Sequence, residues 1–254
     1  MNTQTASNNG HYIYAIVRSV GEQDYGIFGI RGIEDNPVHS ITSGSLSAVV
    51  SEFSQTKIRA ERRHLGAHRQ VLARLMDEMT LLPLRFGTIA ENAAEVRRFL
   101  SLNQERLIAQ LDQVTGKVEM GLRVTWDVPD IFEYFFNRKP ELRRLRDRYF
   151  GEGQPSREEM IEIGRFFDRL LRSEREACVS RVEEVIAGYC AEIKTNPCRN
   201  EREVMNLACL VDRSANSAFE AAVMQAANLF DNDFRFDYSG PWAPHNFAEL
   251  NLEL

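Results

Sequence analysis

From Lys117 to Trp126 the chain reads KVEMGLRVTW, and the alternation has no fault: Val118, Met120, Leu122, Val124 and Trp126 point one way, and Lys117, Glu119, Gly121, Arg123 and Thr125 the other. A period of two residues is a β-strand with one buried face and one face that is wet or at an interface. Such a strand needs sheet partners on its edges and a layer over its apolar side. Its flanks supply that layer. Between Ala60 and Met79 the period is helical, with Leu65, His68, Leu72, Leu75, Met76 and Met79 on one face. A second helix opens at Asn92, with Glu95 as its capping partner, and carries Val96, Phe99, Leu107, Leu111 and Val114 inward until Gly116. The chain is therefore α+β.

The other strands follow from apolar runs. YIYAIV, Tyr12–Val17, is apolar on both faces and reads as a central strand covered on both sides. Val38–Ile41 and LSAVVSEF, Leu46–Phe53, are strands, and LLPLRF, from Leu81, is expected to be another. Beyond Trp126, Pro129 begins a helical insertion that runs to about residue 150 and stops near Gly151 and Gly153. Ser156 and Glu159 form a capping box for a long helix whose stripe runs through Met160, Ile163, Phe167, Leu170, Leu171, Cys178, Val182, Val185, Tyr189 and Ile193. It ends before Asn196-Pro197, and at about 40 residues it would be roughly 60 Å long, so it should project or break. Glu203–Val211 is a strand, a helix with Ala215, Phe219, Val223, Ala226 and Phe230 inward follows, and DFRFDYS closes the fold. These elements predict a polar tail over 1–10, an α+β domain over 11–115, and a second over 116–254 that includes the insertion at about 129–150. The second domain reads β-α-β-α-β, with a ferredoxin-like character.

Composition limits the function. Hydrophobic content of 43% and charged content of 27% are those of a globular chain. A net charge of -6 argues against nucleic acid as the partner, because phosphate binding needs a clustered positive surface. RKPELRRLRDR, Arg138–Arg148, has six basic residues against two acids and reads as a solvated helix face. No run approaches the ~18 apolar residues of a membrane span, and the start, MNTQTASNNGH, has no signal-peptide pattern. A soluble cytoplasmic protein with no membrane partner is expected. Cys178, Cys190, Cys198 and Cys209 lack ligand spacing and read as free thiols.

Few constellations suggest chemistry. His64 and His68 are one turn apart, but the segment is HLGAH rather than HExxH and no third ligand is near, so they read as packing or capping residues. GIFGIRG is not a phosphate loop, because no Lys-Ser/Thr and no helix follow it, and GxSxG is absent. Glu119 with Arg123, or Asp233 with Asp237, reads as ion pairing on a wet sheet face. No cofactor or catalytic residue is expected.

Two segments carry unusual strand-end geometry. In LLPLRFGTIA, Leu81–Ala90, Pro83 cannot donate to a ladder, Arg85 is a charge between Leu84 and Phe86, and Gly87 permits a bend. Arg85 either forks onto a partner's carboxylate or is satisfied within its own fold. In FDYSGPWAPHNFAEL, Phe236–Leu250, prolines and aromatic rings form either an exposed docking tail or a rigid clasp.

With YIYAIV, LSAVVSEF, the AHRQVL helix and the VTW strand end, these two segments resemble the GvpL/GvpF family of gas vesicle proteins, in the family's order and over nearly the whole chain. Ala243 and His245 stand where the resemblance leads one to expect Pro and Tyr. The resemblance implies a non-enzymatic accessory or minor structural protein of gas vesicle formation, located at the vesicle. It implies binding to the major hydrophobic shell protein, GvpA-like, and to other gas vesicle accessory proteins. The contact candidates it marks are Pro83, Arg85, Phe86 and Gly87 in the first segment and Gly240, Pro241, Trp242, Pro244, Asn246 and Phe247 in the second. The alternative is an enzyme on a ferredoxin-like sheet, with Arg85 and an acid acting on a small anionic substrate.

Overall fold

The computed structural model describes residues 10–150 and 156–248; the expected polar tail before Gly10 and the stop at Gly151 and Gly153 lie outside the described residues. The chain divides into two units, one of Met1–Glu119 with Pro241–Leu254 and one of Met120–Gly240.

In the first unit, β1 (His11–Arg18) is the centre of a sheet. It pairs antiparallel with β3 (Leu46–Glu52), which pairs antiparallel with β2 (Val38–Ser43). Its other edge is shared by β4 (Leu81–Pro83) and β5 (Ile89–Ala90). Every residue from Tyr12 to Val17 is at most 1% exposed, so both faces of the strand are covered, as its unbroken apolar run requires. Helix α1 (Arg62–Glu78) packs on β1, and α2 (Ala93–Leu102) and α3 (Gln104–Val114) pack on β1, β2 and β3.

The single helix expected from Asn92 to Gly116 is two. Asn92 caps the first, accepting from Glu95 N at 2.9 Å. Asn103 breaks the run: both its backbone N and its Nδ2 donate to the Phe99 carbonyl, at 3.1 and 2.9 Å. A short amide side chain competes with the helical backbone for such partners, and the chain restarts one residue later.

In the second unit the order is β6 (Lys117–Trp126), α4 (Ile131–Arg138), α5 (Pro140–Phe150), α6 (Arg157–Ile186), β7 (Glu192–Thr195), β8 (Glu203–Asp212), α7 (Asn216–Ala227) and β9 (Phe234–Trp242). The sheet order is β7-β8-β6-β9. The apolar side of β6 is buried at all five expected positions. The capping box of α6 is formed, with Ser156 N donating to Glu159 Oε2 at 2.7 Å and Glu159 N to Ser156 Oγ at 3.3 Å. That helix is shorter than its stripe predicts. It has 30 residues, about 45 Å of rise, and a 3₁₀ turn at Ala187–Tyr189 leads into β7. Ile193 is thus in a strand and pairs with Cys209 of β8. The helical period continues into this stretch by chance, and cross-strand pairing with a buried strand outweighs it. Cys190 Sγ donates to the Ile186 carbonyl at 3.3 Å, satisfying one of the last acceptors of α6. Ala215 and Phe230, expected on the next helix, lie outside α7, whose buried face is Phe219, Ala222, Val223 and Ala226.

Candidate functional site: two motifs on one helix

LLPLRF does not form one strand. The ladder holds Leu81, Leu82 and Pro83 opposite Val17, Ile16 and Ala15, and Leu84 N donates to the Tyr14 carbonyl at 2.8 Å. The chain then leaves the sheet, because the Arg85 carbonyl accepts from Thr88 N at 3.2 Å and Thr88 Oγ1 at 2.8 Å, which closes a turn. Gly87 takes φ +90° there, a conformation that costs residues with a Cβ. Ile89 and Ala90 rejoin β1 opposite Tyr12 and His11. Pro83 is buried and sits on an edge strand, where a missing N–H is tolerated. Arg85 is exposed, and its guanidinium has no ion pair among the described residues.

The turn is tied to α1 through a buried relay. Gly87 N donates to Tyr12 Oη at 3.1 Å, and Tyr12 Oη lies 2.9 Å from His68 Nδ1. The phenol oxygen accepts from Gly87 N and shares its second hydrogen bond with His68 Nδ1, whose direction follows the His68 tautomer. The His68 ring stacks on Tyr14 at 5.7 Å and meets Tyr12 and Phe86 edge-on at 5.7 and 5.8 Å. His68 is 4% exposed, and burial pushes its pKa down to about 4; the neighbouring His245 adds to this and the Leu84 carbonyl partly offsets it. Burial also raises the Tyr12 phenol, so both groups are neutral at physiological pH. His64, one turn away, uses Nδ1 on the Arg59 carbonyl at 3.0 Å. The two histidines have separate partners: one fastens the approach to α1, the other packs in the core.

The C-terminal motif arrives on the same helix. Gly240 takes φ +127° as β9 ends, and Pro241, Trp242, Ala243 and His245 line a groove of about 310 Å³ with Arg69, Leu72, Ala73 and Met76 of α1 and Glu119 of β6. Ala243, Pro244 and Phe247 are buried and anchor the segment, and the Pro244 carbonyl accepts from Phe247 N at 3.1 Å and Ala248 N at 3.0 Å. Glu249 and Leu250, the end of the motif, lie outside the described residues. Trp242 is 41% exposed, and the Arg69 guanidinium sits 5.1 Å from its ring centroid. Glu119, expected on a wet face, is instead 7% exposed. Its burial is compensated by Asn246, which donates from N to Oε2 at 2.8 Å and from Nδ2 to Oε1 at 2.7 Å.

Phe86 and His245 thus both bear on His68, while Trp242 and Asn246 close on Arg69 and Glu119. Arg85 stands apart from the groove lining. The sequence reading missed Arg69, Ala73, Met76 and Tyr12 as members of the site. One signal for Arg69 and Ala73 existed: Gly66, Arg69 and Ala73 are spaced i, i+3 and i+7, which puts a cation between two small residues on one face of α1.

The second unit holds a cleft of about 530 Å³ whose aromatic lining includes Trp126, Tyr134, Phe230 and Phe234. Its cations are engaged. Arg138 binds Asp231 and Asp233 at 3.0 and 2.6 Å and lies over Tyr134, Lys139 pairs with Glu174, and Arg181 donates to the Leu229 carbonyl. Asp237 pairs with Arg235 at 3.6 Å, so Asp233 and Asp237 have separate basic partners. Among the described residues no helix is long and apolar enough to cross a membrane.

The chain is similar over nearly its whole length to known proteins. Gas vesicle protein F of Dolichospermum flosaquae is 26% identical over 238 residues, covering 89% of this chain and 97% of that protein. Gas vesicle protein L1 of Halobacterium salinarum is 25% identical, covering 97% of this chain and 93% of that one. The crystal structure of the gas vesicle protein GvpF from Anabaena sp. PCC7120 superposes with a TM-score of 0.79 at 25% identity, over 96% of this chain and 100% of that one. The family described as gas vesicle synthesis protein GvpL/GvpF matches residues 10–249, and the chain belongs to it.

Proposed function

We propose that the protein is a non-enzymatic accessory or minor structural component that binds the major hydrophobic shell protein while the vesicle wall is being assembled. The single observation that carries this reading is the groove on α1, where a conformationally constrained tail leaves Trp242 41% exposed beside an open apolar lining. Exposed aromatic surface held on a rigid support is the kind of anchor protein interfaces use. Membership of a gas vesicle synthesis family supplies the context. A subunit destined for a gas-facing wall exposes apolar surface that aggregates when uncovered, and an acidic partner with net charge -6 would keep the complex in solution. The turn at Pro83, Arg85, Phe86 and Gly87 is a second contact candidate, with Arg85 offering a bidentate fork.

The test is a pull-down of the shell protein by the purified full chain, with Arg85→Ala and a truncation before Gly240 as comparison variants. The wild type is expected to retain the shell protein. A folded wild type that retains none removes direct binding and leaves other accessory proteins as the partners. The enzyme alternative needs Arg85 and an acid converging on a cleft, whereas Arg85 is exposed outside the groove lining, and Arg138, Lys139 and Arg181 of the second-unit cleft are engaged.

A further inference from the structure

We infer that the α1 groove takes an apolar segment of the shell protein that presents a carboxylate to Arg69. This rests on the reading that the shell protein is the partner, and adds where it docks and by what chemistry. The groove is lined by the apolar Trp242, Leu72 and Met76 and by the small Ala73. Ala73 is exposed, and a Cβ added at Gly66 would meet nothing within 4 Å, so this face of α1 lets another backbone approach closely. Leu65, 37% exposed, continues the apolar surface one turn along the helix from Arg69.

Charge selects the occupant. Two ionised groups line the groove, and they differ in availability. Both oxygens of Glu119 accept from Asn246, and the residue is 7% exposed, so it sits spoken for at the base. Arg69 is exposed, and its guanidinium lies over the Trp242 ring. Among the described residues it has no carboxylate. A cation already placed over an aromatic ring is preorganised, with donors left for a planar anion. An apolar segment without a charge would desolvate Arg69 for no return; one with a carboxylate beside its apolar side chains satisfies it.

The experiment measures affinity of the full-length protein for the shell protein fused to a soluble carrier. Trp242→Ala and Arg69→Glu are each expected to weaken binding at least about tenfold, and Arg69→Lys by less. Ala73→Glu puts a carboxylate one helical turn from Arg69 at an exposed position, where it cannot disturb the core; it is expected to weaken binding to the same degree by occupying Arg69 and obstructing the groove. Met224→Ser, at an exposed residue of the other unit, is expected to leave affinity unchanged. Unchanged affinity of folded Arg69→Glu and Ala73→Glu overturns the groove as the dock while leaving shell binding intact. Loss of binding in Met224→Ser to the same degree overturns it as well. No binding by the wild type overturns both the groove and the reading beneath it.

Discussion

Glu119 and Asn246 are 127 residues apart in sequence and meet in a two-point contact, backbone N to one carboxylate oxygen and Nδ2 to the other, at 2.8 and 2.7 Å. The contact makes a buried charge tolerable and fixes the tail that carries Trp242. Asn246→Ala removes one of the two donors, and a buried carboxylate short of a partner costs about 1–3 kcal/mol. A lower denaturant midpoint is expected, with part of it recovered in Glu119→Gln/Asn246→Ala, since the doubly altered protein no longer buries a charge. Equal midpoints for wild type and Asn246→Ala would rule this out.

His68 makes stability depend on pH in a defined direction. Its folded pKa, about 4, is below the ordinary 6.5, so between these values the unfolded chain binds a proton that the folded one does not. The stabilisation is complete above about pH 6.5 and is lost as pH falls toward about 4. His11 and His245, also lowered by burial, act in the same sense. His68→Phe is expected to flatten the profile of unfolding free energy between pH 7 and 4. A slope equal to that of the wild type would show that other groups set it.

Two glycines should respond oppositely to alanine. Gly87 has φ +90°, and an added Cβ would meet only Ile58 Cγ2 at an ordinary 3.7 Å, so the cost of Gly87→Ala is backbone strain, about 1 kcal/mol. Gly66 is in the interior of α1 with open space around it, so Gly66→Ala should stabilise by about 0.5–1 kcal/mol through helix propensity. Thermal unfolding of both variants checks the pair; shifts of the same sign would contradict it.

The thiols should react in a set order. Cys190 is half-buried and its pKa is lowered by a hydrogen bond with Cys209, whereas Cys178 is buried and pushed up to about 11. Alkylation of the native protein near pH 8, mapped by peptide mass spectrometry, is expected to label Cys190 well before Cys178. The reverse order would mean that the end of α6 is packed differently.

Much of the fold was legible locally. The alternation of Lys117–Trp126, the doubly apolar Tyr12–Val17, the helical stripe of α1 and the Ser156–Glu159 box all describe what neighbours within one or two turns do to each other, and each forms where its pattern predicts. The LPLRFGT and GPWAPHNF segments were also legible as special, because Pro and Gly restrict or free the backbone wherever they stand.

Other features depended on distant partners. Glu192–Thr195 had a helical period and became a strand, because β8 was available to pair with it. Glu119 had the spacing of a wet position and became buried, because Asn246 returns to cover it. Arg69 looked like one more helix-surface cation until Trp242 was laid beneath it. Side-chain period and backbone freedom over a few residues mark most of the helices, strands and constrained turns of this protein, with Glu192–Thr195 as an exception. Which edges pair, which charges are buried and where the groove lies follow from tertiary contacts, since each of those energies belongs to two segments far apart in the chain.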